Sequence, residues 1–173
     1  MNTNKYFLEI PNQEFNRKNL QIYEKAFNHN GLYTNPLINQ EKVIEDNPFL
    51  QWLDGQYKFN CGVITTPPNT LYNFHRDVSR GVCINVLLDH ENSFTLFSNK
   101  VFDDNNSHYA DLTELKYKQN KFYLFNNQIP HAVFNMEGNR SIFSIEFDLN
   151  KQKLSYPILK QKIKKWITST IDT

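Results

Sequence analysis

From Tyr57 to Asp148 the chain reads as eight short runs rich in β-branched and aromatic residues: YKFNCGVITT, LYNFH, GVCINVLL, SFTLFS, YADLTELKY, KFYLFN, HAVFN and RSIFSIEFD. Each is bounded by Pro, Asn, Asp or Gly, the residues that end strands and make turns. No helical stretch separates them. A parallel α/β sheet needs a helix in most of its crossovers, so this spacing predicts a mainly β sandwich or jelly roll over roughly residues 56–148.

The flanks carry a different period. Residues 1–55 are expected to be helical: between Asn12 and Gly31, Phe15, Leu20, Ile22, Tyr23, Ala26 and Phe27 recur near helical spacing, and Gly31 is a plausible stop. A second helix is expected over 39–55, interrupted or bent around Pro48. After the strands, residues 156–170 predict one amphipathic helix with Ile158, Leu159, Ile163, Trp166 and Ile167 toward the body and its lysines in water. With no repeat, linker or low-complexity tract, residues 1–173 read as a single domain.

A formal net charge of +1 gives no field to steer nucleic acid or an anionic membrane, so neither is an expected partner. The N-terminus lacks the apolar core of a secretory signal and no stretch is long enough to span a bilayer, which predicts a cytoplasmic protein. Nothing in the sequence speaks to oligomeric state. Cys61 and Cys83 lie in apolar runs and read as buried free thiols, while His29, His90 and His108 lie in Asn- and Asp-rich segments and read as surface residues. Asn occurs 24 times and Lys outnumbers Arg fifteen to four, as in an AT-rich coding sequence. Arginines that persist under such a bias are enriched where a planar guanidinium fork is needed. Three of them, Arg76, Arg80 and Arg140, fall in or beside the segments that carry chemistry.

The first of those segments is YNFHRDVSR, in which residues i and i+2 of a strand would turn His75 and Asp77 to one face and Arg76 to the other. The second is NNQIPHAVFNMEGNRS, with His131 opening one strand and Arg140 opening the next, nine residues on. A hairpin there would set the two on neighbouring strands. Two imidazoles and one carboxylate on a triangle are the donor set of a non-haem Fe(II) site with open positions, and a nearby arginine can hold the far carboxylate of a dicarboxylate co-substrate in a bidentate pair.

In these residues, His75-x-Asp77, His131 and Arg140, the sequence resembles the 2-oxoglutarate- and Fe(II)-dependent oxygenases, particularly their prolyl-hydroxylase-like and aspartyl/asparaginyl-hydroxylase-like members. The likeness covers roughly residues 56–148. It implies a double-stranded β-helix, or jelly roll, buttressed by the N-terminal and C-terminal helices. It implies Fe(II) on His75, Asp77 and His131, 2-oxoglutarate with its outer carboxylate on Arg140, and dioxygen as oxidant, with succinate and carbon dioxide released. The substrate would be a peptide or small molecule, most simply an amino-acid side chain.

Further positions are candidates around the co-substrate. Asn85, mid-strand in an apolar run, either faces 2-oxoglutarate or is a satisfied structural amide, and Tyr123 either donates to the same carboxylate or is a core aromatic. Ser144 stands four residues after Arg140, whereas relatives with an assisting serine carry it two residues after, where this chain has Ile142. Arg80 is a candidate for a substrate carboxylate or a surface residue. Two other readings stay open: a cupin-like metalloprotein, although the usual two close histidines, Glu and distant His are missing, and a metal-free jelly-roll binding module. Halogenase chemistry is disfavoured by Asp77 itself, since halogenating relatives put a small residue there.

Overall fold

The computed structural model describes residues 5–29, 31, 33–89, 92–102 and 108–171. Its elements, in chain order, are β1 (Phe7–Glu14), β2 (Ile22–His29), β3 (Tyr33–Ile38), α1 (Gln40–Glu45), α2 (Pro48–Asp54), β4 (Phe59–Thr66), β5 (Thr70–His75), β6 (Val82–Asp89), β7 (Ser93–Phe102), β8 (His108–Glu114), β9 (Lys121–Asn126), β10 (His131–Asn135), β11 (Arg140–Phe147) and α3 (Tyr156–Ile171). All eight predicted runs are strands. They form two antiparallel sheets, a large one ordered β1-β9-β6-β11-β4-β3-β2 and a small one ordered β5-β10-β7-β8. The chain passes back and forth between them, which makes β4 to β11 a double-stranded β-helix.

The central strands β6, β9 and β11 of the large sheet are buried on both faces, which is why they are rich in apolar residues along most of their length. Along β6, Val82, Ile84, Val86 and Leu88 point to the helical side, while Cys83 and Asn85 point into the space between the sheets. β11 does the same, with Phe143, Ile145 and Phe147 outward and Arg140, Ile142 and Ser144 inward. The outward face is covered by Val43 of α1, Phe49, Leu50 and Leu53 of α2, and Leu159 and Ile163 of α3, each fully buried. Each such side chain contributes about 1.5–3 kcal/mol of burial. Trp52 stacks on Trp166 with ring centroids 5.0 Å apart, tying α2 to α3. Trp166 and Ile167 pack on the core as expected, but Ile158 is 45% exposed, one residue round the helix from the buried Leu159.

Pro48 interrupts the expected helix and does not bend it, since α1 ends at Glu45 before it. It occupies the first turn of α2, and the buried Asn47 before it accepts from the Asn16 amide at 2.7 Å and donates to the Val43 carbonyl at 2.7 Å, joining two helices and a loop.

The expected helix between Asn12 and Gly31 is the clear correction. Those residues end β1 and form β2, and β2 with β3 makes an antiparallel hairpin, Ile22 opposite Ile38 and His29 opposite Tyr33. The apolar spacing is not one continuous core stripe: Phe15 is buried and Leu20 packs on the core, but Ile22 is 54% and Tyr23 49% exposed. The sheet has two free edges to satisfy: β1 caps β9 and β3 caps β4, and pairing along an existing ladder outweighs a weak local helical period. Asn12, at φ 58°, takes the left-handed conformation at the irregularity where β1 loses register between Glu9 and Glu14. Of the three remaining histidines, His108 is exposed in β8, His90 lies outside the described residues, and the side chain of His29 is likewise outside them.

Candidate metal centre

β5 ends at His75 and β10 begins at His131, and the two residues are direct cross-strand partners with ring centroids 4.3 Å apart. Asp77 joins them by a different route from the strand alternation expected. β5 has already stopped, and Asp77 lies in the turn that follows, where its amide donates to the Asn127 carbonyl at 3.1 Å. The carboxylate is thereby turned back: Oδ1 lies 3.6 Å from Nε2 of His75 and 3.9 Å from Nε2 of His131. One donor atom from each residue falls within 4.8 Å of the others, close enough to share one ion.

The imidazoles are prepared alike. Nδ1 of His75 is 2.8 Å from the Asn73 carbonyl and Nδ1 of His131 is 2.9 Å from the Ile129 carbonyl, so each Nδ1 carries the proton and each Nε2 keeps a lone pair toward Asp77. Burial pushes the His131 imidazole down to about 4, and the neighbouring His75 acts in the same direction, so His131 is neutral at neutral pH. On Asp77, Oδ2 accepts from Arg80 Nε at 2.7 Å and from Asn127 Nδ2 at 2.8 Å, which leaves Oδ1 as the open donor. Two neutral nitrogens and one carboxylate oxygen fit a first-row divalent ion such as Fe(II). Neither cysteine competes: burial pushes both thiols up to about 12, so neither is a thiolate.

Beside this cluster is a cavity of about 130 Å³, lined by His75 and His131 and, farther along, by Asn85, Thr95, Tyr117, Arg140 and Ser144. Drug-sized sites run to roughly 300–1,000 Å³, so this space suits a small acid better than a nucleotide. A more open groove of about 850 Å³ lies near Lys5 and the start of α3, but no histidine or cysteine lines it.

Arg140 is 4% exposed and has no carboxylate partner among the described residues. Its Nη2 donates to Thr95 Oγ1 at 2.9 Å and its guanidinium lies over the Tyr117 ring, 5.7 Å from the centroid. Burial lowers its pKa, the physical sign of a cation held without enough compensation. Such a group is stabilised by an anion from outside the chain. The hairpin expected between His131 and Arg140 does not form: β10 belongs to the small sheet and β11 to the large one, so the two residues reach the same cavity from opposite sheets. Thr95 pairs with Val133, two residues along β10 from His131, which puts the guanidinium roughly 7 Å along the strand from the His75, Asp77 and His131 cluster.

The other candidates divide. Asn85 and Ser144 both line the cavity, and the Ser144 hydroxyl donates to Asn85 Oδ1 at 2.8 Å. Tyr123 does not reach it: its hydroxyl accepts from the Lys118 amide at 3.0 Å and donates to Glu9 at 3.1 Å, and its ring backs Tyr117 edge-on. The tyrosines at the cavity are Tyr72, whose ring centroid lies 4.2 Å from that of His75, and Tyr117, whose hydroxyl is buried near Asn85 without a well-formed hydrogen bond. Arg80 pairs through Nε with Asp77 Oδ2 and also lines the cavity. Tyr117, Thr95, Asn127 and Gln128 were missed because nothing local marks them. The one available signal was the cluster of amides in NNQ just ahead of Pro130 and His131, at the end of an apolar strand.

No family model and no curated protein matches the sequence. Among solved structures, the chain is similar to a prolyl hydroxylase from Trichoplax adhaerens in complex with a peptide fragment of the hypoxia inducible factor oxygen degradation domain, with 13% identity, 84% of this chain and 85% of that chain covered, and a TM-score of 0.51. It is also similar to a 2OG-Fe(II) oxygenase family oxidoreductase from Burkholderia pseudomallei (7% identity, 83% and 74% covered, TM-score 0.47) and to a prolyl-4-hydroxylase from Pseudomonas putida (20% identity, 63% and 59% covered, TM-score 0.41). The chain spans about three fifths of the length of the Pseudomonas enzyme. At these identities the likeness is one of fold. Among the described residues no helix is long and apolar enough to cross a membrane.

Proposed function

We propose that the chain is a 2-oxoglutarate- and Fe(II)-dependent dioxygenase that hydroxylates an amino-acid side chain, peptidyl or free. The observation that carries this reading is Arg140, a buried cation with no acid of its own, in the same small cavity as the His75, Asp77 and His131 donors. A cavity with a metal-binding triangle and a buried guanidinium roughly 7 Å along the strand matches a short dicarboxylate that chelates at one end and forms an ion pair at the other.

When bound, ferrous iron with 2-oxoglutarate and dioxygen supplies the oxidising power, and the co-substrate leaves as succinate and carbon dioxide. The chain's part is to hold and orient. His75 and His131 keep Nε2 unprotonated through their Nδ1 bonds to backbone carbonyls. Arg140 binds the outer carboxylate of 2-oxoglutarate and, with Thr95 and the Tyr117 ring, excludes water from it. The Tyr117 hydroxyl adds one donor, and Asn85 with Ser144 lines the wall between. A peptide or small-molecule substrate is consistent with the peptide carried by the Trichoplax protein. The cytoplasm, a reducing compartment, suits two free thiols and a ferrous ion.

The test is anaerobic addition of Fe(II) and then 2-oxoglutarate. A weak visible charge-transfer band that needs both, followed by succinate release in air across a panel of peptides and free amino acids, is the expected result. A cupin-like metalloprotein binds the metal without the band, and a metal-free binding module gives neither; either outcome overturns the proposal.

A further inference from the structure

The loop that carries Asp77 is held in an unusual number of ways. The Asp77 amide donates to the Asn127 carbonyl at 3.1 Å, Asn127 Nδ2 donates to Asp77 Oδ2 at 2.8 Å, and Gln128 Nε2 donates to the Asp77 carbonyl at 3.0 Å and to the Arg80 carbonyl at 2.7 Å. On its other side the loop is pinned by Lys151, whose amide donates to the Ser79 carbonyl at 2.8 Å. Gly81 packs so closely there that an added Cβ would lie 2.3 Å from the Leu154 carbonyl oxygen. Residues 77–81 are therefore a fixed platform, built from the segment that leads to His131 and from the approach to α3.

Resting on the metal reading above, we propose that Arg80 and Asn127 are positioning residues that confine Asp77 to ligation through Oδ1 alone. A carboxylate with both oxygens free can chelate a metal and occupy two positions. Here Oδ2 is taken by a charge-assisted bond of 2.7 Å from Arg80 Nε and a second bond of 2.8 Å from Asn127 Nδ2, on a side chain 7% exposed. Ligation by Oδ1 preserves both bonds, whereas chelation breaks them inside a buried site. The brace thus keeps one more position open on the ion and fixes the direction of the remaining oxygen. It also gives Arg80 an assignment other than substrate recognition. Gln128 serves the same end through the backbone, holding residues 77 and 80 in one register.

The experiment uses Co(II) as a spectroscopic probe of the full chain, without turnover. Wild-type protein is titrated with Co(II), reading the dissociation constant and the ligand-field spectrum, alongside Arg80→Ala, Arg80→Lys, Asn127→Ser and Glu146→Gln. Loss of an outer partner of a metal ligand costs about 10- to 100-fold in metal affinity. Arg80→Ala and Asn127→Ser are expected to weaken Co(II) binding by about tenfold or more and to shift the ligand-field bands, with Arg80→Lys recovering part of both through its remaining charged donor. Glu146 approaches Arg80 at 3.8 Å from an exposed position and does not touch Asp77, so Glu146→Gln is expected to match wild type. A folded Arg80→Ala or Asn127→Ser with wild-type affinity and spectrum overturns the brace; if Arg80→Ala does not fold, Arg80→Lys and Asn127→Ser decide against the Glu146→Gln control. A wild-type chain that binds no Co(II) overturns the metal reading instead.

Discussion

Arg140 Nη2 donates to Thr95 Oγ1 at 2.9 Å, a bond that crosses from the large sheet to the small one in a place where both residues are almost fully buried. A hydroxyl satisfies one N–H of the fork and none of its charge. The guanidinium is thus oriented by the protein and left for an anion to neutralise, and the chemistry expected of Arg140 follows.

Arg140→Lys keeps the charge but replaces a two-bond fork by a point donor. Hydrogen bonds to charged groups are worth roughly 1.5–3 kcal/mol, so the 2-oxoglutarate KM is expected to rise about 10- to 100-fold, with metal affinity in the absence of co-substrate unchanged. Titrating 2-oxoglutarate at saturating Fe(II) measures this. An unchanged KM rules out the co-substrate role.

His75→Ala, Asp77→Ala and His131→Ala are each expected to abolish succinate release in protein that remains folded by circular dichroism, since His75 and His131 lie at strand ends, Asp77 lies in the loop after β5, and only His131 touches an apolar cluster, through the edge of Phe125. Wild-type metal-free protein is expected to gain melting temperature on addition of Fe(II), Mn(II) or Zn(II), and the variants to lose that gain. Near-native succinate release in two of the three would show that the site is elsewhere.

Tyr117→Phe and Tyr123→Phe separate two tyrosines that the sequence does not distinguish. The Tyr117 hydroxyl is buried without a well-formed bond, so its removal costs the apo protein little and raises the 2-oxoglutarate KM by about tenfold, the loss of one bond to a carboxylate. The Tyr123 hydroxyl is spent on Glu9 and Lys118, so its removal lowers stability by about 1 kcal/mol and leaves the KM alone. The reverse pattern would exchange their roles.

The metal-free protein is expected to lose stability in a defined pH window. In the folded chain His131 titrates at about 4, against about 6.5 when unfolded, so between those values the unfolded chain binds the extra proton. The stability this group contributes is complete above about pH 6.5 and is lost as pH falls through about 4. Urea midpoints measured from pH 7 to pH 4 are expected to fall more steeply for wild type than for His131→Gln. Parallel curves would mean that His131 is not held neutral by burial.

The strands and the C-terminal helix were legible locally, because strand period and turn residues are properties of a few neighbouring residues, whereas the meeting of His75, Asp77 and His131 rests on the β5–β10 pairing and the loop after β5. The residues around Phe15 to Phe27 misled because their spacing is ambiguous, and open sheet edges some forty and a hundred residues away decided their state. Which face of each strand looks inward was likewise a tertiary matter: it set Tyr117 at the cavity and turned the hydroxyl of Tyr123 away, put Arg140 on the opposite sheet from His131 and against Thr95, and set Arg80 Nε on Asp77. Local sequence specifies the kind of side chain and its period along the backbone. Only the packing of one sheet over the other, driven by burial of both faces of the large sheet's central strands, determines which polar groups meet in the space between and which are left there without a partner.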